Sequence, residues 1–391
     1  MYSVVKSQQS LNQNYEKEDN MIKTLGISLA VATVLSMSGC GSSSTNNNDT
    51  TPPPSGKDII ISKSYNGAGS RWDLNFKSDK TATIKELNSN LEINATYEEL
   101  SSGFRKITTV SSSDSTIANG TVTYGFELPD YMFSFVAFNE NKLIPSIRKS
   151  NECPTDGIKH NYITSFAQSK DNGDFNGFAL YGYLQDDIAQ NSFTYKSFDS
   201  SNNVASSGVA TGYTMKSSCA NGSYYAVGST EVETSFFTNT GGFIAQKYDT
   251  QNHELRNQFG VPYESNLNTI NQIDGNYIGY VISGNGQSNI GYTNTPVSVV
   301  ATNGRLIVKD INVTSGIVGN KISDVSLTTE VTGTKGLWSG QITTVSPSGT
   351  DGIGCAIDLN AGGSGKNVVI CAGMLPDGTS KKLYSLILVN K

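Results

Sequence analysis

Trp72, Leu74 and Phe76 alternate with Asp73, Asn75 and Lys77. Period-two alternation of this kind predicts a strand with one face buried and the other in water. The same unit recurs as alternation, polar turn, alternation in RWDLNFKSDKTATIKEL, MFSFVAFNENKLIPSI, TSFFTNTGGFIAQKY and TPVSVVATNGRLIVKDI, and each reads as an antiparallel hairpin. No stretch carries convincing helical periodicity, although Glu254 to Ile273 has room for one or two turns. Asn252 to Gln272 is the least strand-like stretch, and IDGNYIGYVI, from Ile273, restarts the pattern. The expectation is an all-β protein of two antiparallel barrel- or sandwich-like domains, 58–260 and 273–391. Hairpin turns near residues 79, 140, 201, 241, 304 and 363 raise a single β-propeller as the rival. Their uneven spacing and the lack of a repeated blade motif count against it.

Upstream the pattern changes. Leu25 to Met37 is apolar and uncharged, preceded by Lys23 and followed by Ser38 and Gly39. It is too short for a spanning helix, which needs about 20 apolar residues, and reads as a cleaved signal peptide over 21–39. Met37-Ser-Gly-Cys40 resembles the bacterial lipobox, with Met37 where leucine is usual. That resemblance implies an acylated Cys40 as first residue of the mature chain, anchored without a membrane-spanning helix. Gly41, rather than aspartate, follows the cysteine. By resemblance to lipoprotein sorting in enteric bacteria this implies the outer membrane, with the folded part facing periplasm or cell surface. Residues 40–57 join Cys40 to Ser, Thr, Asn and Pro with no hydrophobic anchor, the composition of a disordered tether. Residues 1–20 place four charges in Glu16 to Asp19, the wrong flank for a signal peptide. Lys17 to Asn20 is encodable by a purine-rich ribosome-binding sequence, so Met21 is read as the start and 1–20 as an upstream extension.

Composition supports export. Charged residues make up 16% of the chain, alongside 39 Gly, 19 Tyr and 15 Phe. Aromatic and β-branched residues suit strands, and Gly, Asn and Ser suit their turns. A net charge of −6 without clustered Lys and Arg argues against a nucleic-acid partner. Besides Cys40 there are Cys153, Cys219, Cys355 and Cys371, an even number in a chain bound for an oxidising compartment, where disulfides are the default. Of three possible pairings, symmetry favours Cys355 with Cys371. GIGCAIDLN and KNVVICAG flank a glycine turn centred on Gly363, equidistant from both cysteines. Cys153 and Cys219 then pair by elimination. A zinc or redox site is the alternative, but there is no CxxC and the chain has two histidines.

Candidate chemistry is sparse. His160 lies four residues after Asp156, and a Ser-His-Asp hydrolase would need such a base, yet no GxSxG elbow accompanies it. It reads as an exposed loop histidine beside a disulfide, and His253 is blander still. Asn172-Gly-Asp174-Phe-Asn176-Gly177 mimics half of a calcium loop, but its closing position is Tyr183 where a bidentate glutamate is needed, so an Asx/Gly turn accounts for it. Asp186 and Asp187 serve a glycosidase only if folding brings two carboxylates into one cleft. Tyr224, Tyr225, Phe236, Phe237, Tyr277 and Tyr280 suit either a ligand cavity or core packing, with core packing the simpler use.

IDGNYIGYVI, GLWSGQI and GKNVVICAG…LYSLILVNK resemble the C-terminal part of bacterial envelope lipoproteins, and ELPDYMFSFVAF, NECPTD and SCANG resemble their N-terminal part. The shared features are structural glycines, aromatics and cysteines, which imply no catalytic residue, metal or cofactor. The expected function is a binding or structural role in the envelope, with a glycan, small ligand or envelope protein as partner and no nucleic acid. The rival is a tethered extracytoplasmic hydrolase acting on glycans or peptides. A subunit of a larger envelope assembly is a third class.

Overall fold

The computed structural model describes residues 63–391 except 68–71, 88, 130–131, 139–142, 150–152, 154–156, 170–174, 188, 191, 211–222, 228–233, 239–241, 250–253, 264–265, 286–290, 346–347 and 378–379. Cys40, the signal peptide, the tether, Asp156, Asp174, Cys219 and His253 lie outside the described residues.

Eight strands form the first sheet: β1 (Lys63–Gly67), β2 (Trp72–Phe76), β3 (Thr81–Glu86), β4 (Leu91–Glu99), β5 (Arg105–Ser112), β6 (Val122–Leu128), β7 (Met132–Val136) and β8 (Leu143–Arg148). They pair in sequence order and close when β1 meets β8, with Tyr65 opposite Arg148 and Gly67 opposite Ser146. The alternation read from the sequence sets which side faces in. Trp72, Leu74 and Phe76 are buried while Asp73 and Asn75 are half-buried. An eight-stranded barrel is just wide enough for its own side chains to fill it. Here Tyr65, Trp72, Phe76, Phe133 and Phe135 do so in mostly edge-on and tilted ring contacts.

The second sheet comprises β9 (Lys159–Ser169), β10 (Phe175–Asp187), β11 (Ser192–Phe198), β12 (Val204–Ala210), β13 (Ser223–Val227), β14 (Thr234–Thr238), β15 (Phe243–Asp249) and β16 (Glu254–Pro262). Its order is β12-β11-β10-β9-β16-β15-β14-β13. First and last strands pair here too, Ile163 opposite Phe259, so the sheet is the same meander as the barrel but opened between its fourth and fifth strands. The third sheet comprises β17 (Gly275–Asn285), β18 (Gly291–Thr302), β19 (Arg305–Ile311), β20 (Val318–Glu330), β21 (Leu337–Val345), β22 (Ser348–Asp358), β23 (Val368–Asp377) and β24 (Ser380–Asn390). It closes as a second barrel when β17 meets β24, Tyr280 opposite Ile387. Its interior is largely aliphatic and includes Cys355 and Cys371.

Two closed antiparallel barrels are present, and the propeller is not. The stretch 58–260 holds a closed barrel and an open sheet. The sequence reading is corrected on one point. Glu254–Pro262, in the stretch expected to be least strand-like, is the strand at the heart of that sheet, paired on both sides. Phe259 and Val261 face the core, but the polar run Arg256-Asn257-Gln258 before them reads as loop. Farther along that stretch, Ile270–Ile273 turns as a short 3-10 segment.

The open sheet lies on the second barrel through β9 and β10 against β22, β23 and β24. Both faces of β24 are therefore covered, and Leu383 to Val389 is buried without interruption instead of alternating. Close approach has a sequence cause. A Cβ on Gly354 would lie 1.8 Å from the Tyr181 ring, so only glycine lets that ring rest on the barrel wall.

Candidate functional site

The two barrels meet where the hairpin β4–β5 turns. Gly103, at φ +92°, makes that turn with its N–H on the Leu100 carbonyl at 2.8 Å, and a Cβ there would strike Ile278 of the second barrel at 2.7 Å. Phe104 and Phe126 each place their rings 5.5 Å from Tyr280, Ser102 Oγ donates to the Val313 carbonyl at 2.8 Å, and Tyr124 Oη lies 2.8 Å from Thr314 Oγ1. These contacts make an apolar seam with polar ties at its rim.

Beside the seam, the mouth of the first barrel opens into a cavity of about 640 Å³ walled by both barrels. Arg105 is its central charge. As the first residue of β5 its side chain points inward, and the guanidinium carbon lies 4.6 Å from the Phe76 ring centre, 5.0 Å from Tyr97 and 5.1 Å from Phe133. Flat cations stack well on aromatic faces. Its Nε donates to Glu99 Oε1 at 2.6 Å and its Nη2 to Glu127 Oε2 at 3.4 Å, while Nη1 is buried without a hydrogen-bond acceptor among the described residues. Glu127 also pairs with Lys63. Burial alone would lower the Arg105 pKa, but Glu99 and Glu127 hold it above the usual arginine value. Burial, reinforced by Glu127, pushes the Tyr65 hydroxyl well above the ordinary tyrosine range.

The remaining wall divides by chemistry. Phe76, Tyr97, Phe126, Ile278 and Val389 supply apolar surface, and Lys366 and Lys391 of the second barrel face the site across it. Four basic side chains, Lys63, Arg105, Lys366 and Lys391, thus line the cavity against two acids, Glu99 and Glu127, in a chain whose net charge is −6. A second concavity, about 650 Å³, lies between the β11–β12 turn and the outer wall of the second barrel. Hydroxyls and amides line it, including Ser200, Asn202, Ser326 and Gln341, with Asp351 as its charged group.

The residues singled out in the sequence fall elsewhere. Cys355 and Cys371 are bonded across the hairpin as its symmetry predicted. Cys153 is disulfide-bonded. His160 is a correction: it is fully buried in β9 with its ring 6.0 Å from Phe243, not exposed in a loop. Burial in the open sheet leaves it no exposed surface. Asp187 accepts from the Gln190 N–H at 2.9 Å as an ordinary turn residue. Tyr277 and Tyr280 are core, Tyr277 inside the second barrel and Tyr280 in the seam. Tyr224 pairs with Phe237 and Tyr225 with Phe236 across β13 and β14. Among the described residues no three His, Cys, Asp or Glu side chains gather into a metal site. No described helix is long and apolar enough to cross a membrane.

Arg105 escaped the sequence reading because FRKITTV shows only a charged strand start. Its partners Glu99 and Glu127 come from two other strands, Glu99 from across the β4–β5 hairpin and Glu127 from β6.

No family profile and no curated protein matches the chain. Among solved structures, it is similar to a mutant of transferrin binding protein B from Haemophilus parasuis, at 11% identity over 81% of this chain and 65% of that one, with a TM-score of 0.32. The isotype 1 transferrin binding protein B of serogroup B Neisseria meningitidis gives 10% identity, 82% and 65% coverage and a TM-score of 0.29. The chain thus spans slightly less than two thirds of the length of either.

Proposed function

We propose that this is a lipoprotein held in the outer membrane through Cys40, whose folded part binds a small ligand in the cavity between its barrels. The observation that carries the binding role is the Arg105 site. A buried, ring-stacked guanidinium with one nitrogen unpaired is costly to maintain for stability alone, since apolar replacements of buried ion pairs are often neutral or stabilising. Its position at the mouth of a cavity of ligand size gives that cost a use. Strands of the first barrel supply Arg105 and the Phe76, Tyr97 and Phe133 rings that surround it.

Two measurements test the reading. Palmitate labelling of the wild type and its loss in Cys40→Ser tests the anchor. For binding, the chain is extracted from membranes and its native mass compared with that of Ser101→Trp, which fills the cavity from its exposed rim. The expected result is a small-molecule adduct on the wild type that the variant lacks. An adduct retained in full by Ser101→Trp, or none on either, overturns the cavity as the binding site.

A further inference from the structure

The structure assigns a ligand class to this cavity: an apolar carboxylate, one carboxylate head on a hydrocarbon or aromatic body, seated by exchange for Glu99 on Arg105. The assignment rests on the binding reading above and adds to it what is bound.

The two carboxylates on the guanidinium are unequal. Glu127 is 17% exposed and is shared with Lys63, so releasing it breaks two ion pairs. Glu99 is 49% exposed and pairs with Arg105. Its carboxylate is half in water, so it loses less on release than the more buried Glu127 would. Glu99 can therefore leave, and what it vacates is a carboxylate position on a guanidinium that the rings of Phe76, Tyr97 and Phe133 hold still. An incoming carboxylate keeps the charge-assisted hydrogen bond at Nε. Glu99, moving outward, loses only a half-solvated contact.

The ion pairs at the guanidinium set the charge that the head meets there. With Glu99 swung out, Lys63 and Arg105 face Glu127 alone, one positive charge in excess around the guanidinium itself. A carboxylate neutralises it. A phosphate dianion would set a second negative charge beside Glu127. Lys366 and Lys391, which have no ion-pair partner among the described residues, add a general attraction for anions from the opposite wall. The body of the ligand is set by the rest of the wall. Tyr97 and Pro129, half-buried at the mouth, offer apolar contact to it.

The test is calorimetric titration of the folded chain with 4-phenylbutanoate and octanoate, against 4-phenylbutanamide and phenyl phosphate. Expected are binding of both carboxylates, at least tenfold weaker binding of the amide, and weaker binding of the phosphate. Glu99→Gln should bind the carboxylates several-fold more tightly, because the internal competitor has lost its charge. Arg105→Met, which keeps the length of the side chain, should abolish binding. Glu99→Gln is the decisive variant, since it alters an exposed side chain and leaves the fold intact. An amide that binds as well as the acid, a phosphate that binds more tightly, or Glu99→Gln that weakens binding overturns the assignment while the cavity remains a binding site. Failure of every probe overturns the assignment. Together with absence of a native adduct, it removes the binding reading as well.

Discussion

The hydroxyl of Tyr280 donates to the backbone carbonyl of Tyr124, 3.2 Å away and 156 residues earlier in the chain. The ring below that bond lies against Phe104 and Phe126, so a tyrosine of the second barrel completes the packing of the first. Tyr280→Phe removes only the bond and should cost about 1 kcal/mol. Tyr280→Ala also empties a buried ring site, and the usual cost of such truncation is about 3–5 kcal/mol. Urea denaturation of the two variants separates the contributions. Equal losses would mean that the ring contributes nothing to the seam.

Cys355 and Cys371 are directly opposite in the β22–β23 register, Cα atoms 4.0 Å apart, and both are fully buried inside the second barrel. Closing a loop of this size is worth roughly 3 kcal/mol in the chain-entropy model. The paired Cys355→Ala and Cys371→Ala variant should lose stability of that order. Burial adds a kinetic expectation, because exchange needs a thiolate to reach the sulfur. Dithiothreitol should leave this bond intact in the native chain and cleave it once urea unfolds the barrel. Rapid reduction under native conditions, followed by mass after alkylation, would contradict the buried position.

These two residues also show what the sequence made legible. The symmetric spacing about Gly363 was enough to pair them, because a hairpin is local and its register follows from its turn. The alternation of Trp72, Leu74 and Phe76 was enough to give one buried face for the same reason. What depended on distant pairing stayed hidden. Barrel closure joins Tyr65 to Arg148 and Tyr280 to Ile387, and no short window records it. Glu254–Pro262 carries mixed polarity and is recognised as a strand only through its pairing on both sides, and His160 looks like loop until its pairing with Pro262 and Leu184 is known. The site suffered most, since Glu99, Arg105 and Glu127 converge only through the register of β4, β5 and β6.

Gly354 is a test of how the open sheet is held. Any side chain there collides with the Tyr181 ring, which stacks in turn on Phe198 at 5.8 Å and reaches Asn202 Oδ1 through its hydroxyl at 3.3 Å. Gly354→Val should therefore push the sheet off the barrel wall and leave the barrel itself closed, because valine suits a strand. Hydrogen exchange should rise in β9 and β10 and stay low in β17 and β18. Unchanged protection in β9 and β10 would show that the sheet is held by its other contacts.

Buried tyrosines set the alkaline limit of stability. Burial pushes Tyr181 and Tyr277 up to about 12, and takes Tyr162, Tyr280 and Tyr384 higher still. An unfolded tyrosine ionises near 10. Between these values the unfolded chain releases protons that the folded chain keeps, so rising pH favours unfolding. The stabilisation is complete below about pH 10 and declines above it, by up to about 1.4 kcal/mol per pH unit for each such residue. Absorbance at 295 nm should therefore rise for the buried set well above about pH 10, together with loss of the far-ultraviolet β signal. Tyr277→Phe, which gives up a 2.7 Å bond to the Ile273 carbonyl, should be less stable at pH 7, yet its stability should fall less steeply with pH above 10. A single reversible titration of every tyrosine near pH 10, with the fold intact, would show that these hydroxyls are in contact with water.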